Sequence, residues 1–118
     1  EAIMNKSQNL INMFLMASAL PKDTGLPTVI WIEEISDETK KYVPQIRVMP
    51  TKGKIRIEET VIVTIEDEPR SIGNLPINIL KKVVKWVKLN RQLLEDHYYH
   101  RIDAVEFYRL MQKVKGGD

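Results

Sequence analysis

Cysteine is absent from the 118 residues. That excludes a disulfide framework, a thiolate zinc site and a cysteine nucleophile. Histidine occurs twice, at His97 and His100, so a catalytic metal centre has few ligands to draw on. Glycine is sparse, and Gly25, Gly53 and Gly73 stand alone in turns, so no glycine-rich phosphate loop exists. Ser18, Ser36 and Ser71 lack the Gly-x-Ser-x-Gly context that exposes a serine nucleophile. No run of about 18 apolar residues is present, so no transmembrane helix is predicted. Charge of one sign is also lacking. Eighteen Lys and Arg face sixteen Asp and Glu, a net of +2, too little to impose a nucleic-acid or membrane role.

What is present suits a soluble globular chain. Hydrophobic residues make up 43% and charged residues 29%, enough apolar material to offset the entropy of ordering. The length fits one domain, taken as residues 1–118, with an N-terminal helical extension over 1–25, a core over 26–97 and a C-terminal helix over 98–118. The spacing of Ile3, Leu10, Ile11, Phe14, Leu15 and Met16 predicts a helix from Ala2 to Leu20, stopped by Pro21. Ala17-Ser18-Ala19 also fits a signal-peptidase site. Asn12 interrupts the apolar run and a single Lys precedes it, so an amphipathic helix is the preferred reading.

Strands are predicted over Thr28–Ile32, Gln45–Met49, the alternating stretch around Ile55 and Ile57, and Thr60–Ile65. The consecutive apolar positions of the last suggest a central strand covered on both faces. Glu33–Lys41 and Glu66–Leu75 read as polar loops. Pro76 opens the strongest helix, with Ile79, Leu80, Val83, Val84, Trp86, Val87 and Leu94 on its buried stripe and Lys81, Lys82, Lys85 and Lys88 facing outward. A break is expected between His97 and Asp103. Asp103 then caps a final helix, Ala104–Val114, with Ala104, Phe107, Leu110, Met111 and Val114 on its apolar face. The expected fold class is α+β: a small, mainly antiparallel sheet of about four strands, packed by one long helix with additional helices at both ends.

Charge is divided along the chain. Residues 23–68 carry ten acids and six bases, whereas residues 69–118 carry ten bases and five acids. The sheet half is therefore acidic and the helical half basic. Lys81, Lys85 and Lys88 recur at spacings of four and three, with Arg91 alongside, and such a row can follow a phosphate backbone. The alternative is the solvated face of an amphipathic helix, favoured because no aromatic is interleaved to stack on bases. His97 and His100 share a helical face and could supply acid–base groups to an RNA-cleaving site. They read more simply as part of an aromatic helix end that packs two helices together. Glu33, Glu34, Asp37 and Glu38 form an acidic cluster without calcium-loop spacing. Phe14 and Met16 belong to an adaptable, Met-containing stripe of the kind that accepts a partner helix.

From Leu26 onward the chain resembles the domain-of-unknown-function family 4160 of small bacterial and phage proteins. Leu26-Pro27-Thr28-Val29-Ile30, Pro44-Gln45-Ile46-Arg47-Val48 and Gly73-Asn74-Leu75-Pro76, followed by Leu80, Val83, Trp86 and Leu93-Leu94, carry the likeness over about residues 26–97. The family's two histidines fall on Gln45 and Arg47, so any chemistry they serve is missing here. The resemblance implies a small protein paired with another, as in a toxin–antitoxin system, an association and not a mechanism.

These readings lead to one expected function. The chain is taken as a cytoplasmic, non-enzymatic protein-interaction module without cofactor, metal or catalytic residue. Phe14, Met16, Glu33, Glu34, Asp37 and Glu38 are expected to meet a protein partner or a second copy. The rival is a nucleic-acid-binding protein or ribonuclease-type toxin using Lys81, Lys85, Lys88, Arg91, His97 and His100.

Overall fold

The computed structural model describes residues 16–36 and 43–115. Its fold is α+β, a five-stranded antiparallel sheet with helices packed against it. The strands are β1 (Met16–Ala19), β2 (Ile30–Glu33), β3 (Gln45–Val48), β4 (Val61–Thr64) and β5 (Ser71–Ile72), and they lie side by side in chain order. A single helical turn, α1 (Pro21–Thr24), follows β1, and α2 (Ile77–Leu89), α3 (Arg91–Tyr98) and α4 (Ala104–Leu110) follow the sheet.

Alternation sorts the strand residues between two faces. Ile30 and Ile32 pair with Val48 and Ile46, and Ile46 pairs with Val63. These side chains pack with Ile79, Val83, Trp86 and Val87 of α2, Leu94 of α3 and Phe107 of α4 in one core. Trp86 is fully buried and meets Phe107 edge-to-face, with ring centroids 6.3 Å apart, the arrangement that ring quadrupoles favour. On the other face, Trp31 packs with Val29, Met49 and Ile57 in a smaller cluster. Among the described residues no helix is long and apolar enough to cross a membrane.

The strongest sequence patterns give the expected elements, and the exceptions have local causes. The helix expected over Ala2–Leu20 is wrong at its end: residues 16–19 form the edge strand β1, paired Ala17 to Ile32 and Ala19 to Ile30. Met and Ala favour a helix, and pairing with the apolar β2 overrides that preference. The remainder of that helix lies outside the described residues. Ile55 and Ile57 form no strand. Ile57 starts a short 3₁₀ turn (Ile57–Glu59) and folds onto Trp31, while Ile55 stays in solvent. The strand β4 is interior to the sheet, paired with β3 and β5, but it is not covered on both faces: its Val61 and Ile62 remain half-buried.

The long helix also breaks earlier than its stripe suggests. Asn90 leaves helical geometry at φ −111°, ψ 19°, dividing α2 from α3. The break expected after His97 is present as well, and the Asp103 carboxylate accepts a hydrogen bond from Glu106 N–H at 2.8 Å. The last helix stops at Leu110, four residues short of Val114, and Met111 turns to an extended conformation.

Candidate docking groove

The early stop of α4 shapes a groove at the surface. Residues 111–115 run extended past the α2–α3 junction, and three contacts fix them there. Asn90, almost fully buried, donates from Nδ2 to the Trp86 carbonyl (3.1 Å) and the Gln112 carbonyl (3.0 Å). Its Oδ1 accepts from Gln112 N–H at 2.8 Å. The side-chain amide thus satisfies both backbone groups of Gln112, which have no ladder partner in a sheet or helix. Farther along, Val114 N–H donates to the Thr24 carbonyl at 2.8 Å, and the Val114 side chain enters the core.

Gly25 makes that approach possible. It caps α1 at φ +80°, and a Cβ there would run into the Val114 carbonyl. Only glycine combines this backbone angle with so close a neighbour. A turn glycine far from the C-terminal segment in sequence therefore sets its position.

Between the extended segment and the two helices lie two adjoining depressions, of about 480 and 250 Å³, which share Leu89 and Gln112. The larger holds Lys85, Lys88, Lys113 and Lys115 around Leu89 and Val114. The smaller continues along Leu93 and Leu110 and ends at Asp96. Leu89 is 44% exposed and Leu110 46% exposed. The groove is thus basic at one end and aliphatic through its middle. Neither depression is lined by an aromatic side chain.

Internal ion pairs neutralise much of the remaining charge. Arg91 is bound by Asp67 and Glu95, Arg70 by Glu66, Arg101 by Asp96 and Arg109 by Glu106. Hydrogen bonds that it donates to Glu95 and Asp67 hold the proton affinity of the Arg91 guanidinium above its ordinary range, so it is committed to those partners. Lys88 lies 3.3 Å from the Glu68 carboxylate. Lys113 and Lys115, by contrast, make no ion pair among the described residues.

The structure distributes the residues singled out from sequence among several places. Lys85 and Lys88 belong to the groove; Lys81 lies on the same helix but does not line it. Glu33 is buried on the outer sheet face, where its carboxylate accepts from Arg47 and Gln45. Glu34 meets His100 Nδ1 at 3.2 Å. Phe14, Asp37 and Glu38 lie outside the described residues, and of Met16 the backbone alone is placed, in β1. The groove residues that sequence reasoning missed are Leu89, Asn90, Leu93, Leu110, Lys113 and Lys115. Asn90 was the available signal, because an Asn inside a helical stripe competes for backbone groups and marks a break.

His97 and His100 sit at the end of α3 against β2, and neither lines the groove. The His97 ring is buried 5.6 Å from Phe107, and among the described residues neither ring nitrogen has a hydrogen-bond partner. Burial holds its proton affinity below the ordinary histidine range, opposed more weakly by the Glu34 carboxylate 3.8 Å away. Among the described residues no group of three or more His, Asp or Glu is placed to hold a metal ion.

A sign follows for stability. The folded state keeps His97 neutral where the unfolded chain, titrating near pH 6.5, already binds a proton. The stabilisation is complete above that pH and is lost as pH falls below it. Thermal melts of the wild type are expected to show falling Tm from pH 7 to 5, with a shallower slope in His97→Phe. An unchanged slope would contradict a neutral buried imidazole.

Comparison with protein-family models, with curated proteins and with solved structures finds no match to this chain.

Proposed function

We propose that this protein is a non-enzymatic protein-interaction module and that it holds its partner in the groove between α2, α3 and residues 111–115. One observation carries this reading: two large aliphatic side chains, Leu89 and Leu110, stand nearly half exposed in a concavity that Asn90 and Gly25 hold open. Isolated exposed leucines are ordinary. Two that share a pinned concavity with a lysine rim form an anchor-and-rim arrangement suited to protein recognition. The pairing with a second small protein implied by the family resemblance, as in a toxin–antitoxin system, agrees with this role.

The sequence-based choice of surface is revised by this proposal. Glu33 and Glu34 are engaged within the fold, and the groove described above lies in the basic half. The test is a photo-crosslinking amino acid at Leu89 in cells that express the protein, with the same group at exposed Thr51 as control. A discrete protein adduct is expected from position 89 and none from position 51. Equal labelling from both positions would contradict the groove.

A further inference from the structure

Resting on that reading of the groove, we infer that its occupant is a bipartite segment of a partner protein: a run of Asp or Glu joined directly to two or more large aliphatic side chains. The groove's own polarity dictates that the two parts be distinct and adjacent. Lys85, Lys88, Lys113 and Lys115 surround one end, and Leu89, Leu93 and Leu110 line the other. The fold already shows what the rim accepts, since Lys88 holds the carboxylate of Glu68 from the β4–β5 loop. Carboxylates of a partner would meet Lys113 and Lys115 in the same way, while its aliphatic side chains cover Leu89 and Leu110. A rim of long flexible ammonium groups sets register and encounter rate, and the covered leucines set residence time.

A nucleic-acid strand fits the same surface less well. Base recognition without pairing relies on aromatic stacking, and no aromatic side chain lines either depression. A phosphate backbone following the groove would leave the lysines and run toward the carboxylate of Asp96. An acidic segment that turns aliphatic beyond the lysines does not carry its charge to Asp96.

The inference is tested by fluorescence anisotropy on the whole 118-residue chain. The probe is a labelled peptide of four Glu followed by Leu-Ala-Ala-Leu, compared with a scrambled peptide of equal composition, a poly-Glu peptide and a single-stranded oligo-U RNA. The bipartite peptide is expected to bind at least about tenfold more tightly than the scrambled one. That preference is expected to vanish in Leu110→Glu and to weaken in Lys113→Glu/Lys115→Glu, which alters exposed side chains only. Equal binding of bipartite and scrambled peptides, or tighter binding of the RNA, would overturn the inference. A protein adduct at Leu89 would still stand in the first case, so loss of the occupant's chemistry is separable from loss of the interaction role.

Discussion

Trp86→Ala is expected to cost about 3–5 kcal/mol of folding stability, the usual range for emptying a large aromatic site in a core. Trp86 lies in the last turn of α2 with no exposure, edge-on to Phe107 and packed with the inner sheet face. Among the described residues its indole N–H has no hydrogen-bond partner, so the loss comes from packing. The neighbours that could collapse into the space are strand residues fixed by ladder pairing and helix residues fixed by their own turns. Relaxation is therefore limited, which places the effect toward the upper part of the range. Trp86→Phe keeps most of the volume and is expected to lose markedly less. Urea unfolding of the three proteins checks this, and a loss below about 1 kcal/mol for the alanine variant would show that the core is not organised around this ring.

Gly25→Ala is the second large effect, and it acts through the groove. The left-handed backbone costs an L-residue about 1–2 kcal/mol. The added methyl must in addition push aside the Val114 carbonyl, backbone that cannot yield as a flexible side chain would. Moving that carbonyl strains the Val114–Thr24 hydrogen bond and the anchored Gln112 beside it. A combined loss of about 3 kcal/mol is expected, with weakened binding at the groove under conditions where the variant is still folded. Gly53→Ala is the matched control. It has the same sign of φ, at +76°, but open space where the methyl would stand. Its loss is expected to stay near the backbone term alone. Equal losses at the two positions, read by urea unfolding, would show that the close approach to Val114 does not hold the C-terminal segment.

How much of this was legible in the sequence depends on whether a signal was local. The α2 stripe is strong because Ile79, Val83, Trp86 and Val87 repeat on one helical face, and all four are buried. Asp103 is readable as a cap because capping needs only a short side chain and an N–H three residues on. The β1 strand was hidden because Met16-Ala17-Ser18-Ala19 has no strand chemistry of its own. It is held by β2 on one side, and Tyr108 O–H donates to the Ser18 carbonyl. Among the described residues β1 is an edge of the sheet, and this bond from α4 occupies one of its acceptors.

The groove was hidden for the same reason, on a larger scale. Leu110, Met111 and Val114 continue a helical spacing, and no Pro or Gly interrupts them before Gly116. What ends α4 early is tertiary: Asn90, Thr24 and Gly25 offer residues 111–115 better partners than another helical turn does. The lysines of α2 were visible as a row, yet their companions Lys113 and Lys115 reach them only through this extended segment. Conversely, Glu33 and Glu34 looked available in sequence because their partners Arg47 and His100 come from distant elements.

The most direct test of the groove as a docking surface is the nature of the adduct formed at Leu89 by the photo-crosslinking residue. Each sample is split and treated with protease or nuclease before its mass is read. The expected result is a discrete adduct at position 89 that protease removes and nuclease leaves intact, with none at Thr51. A nuclease-sensitive adduct at Leu89 would contradict the account and return the lysines of α2 to a nucleic-acid role.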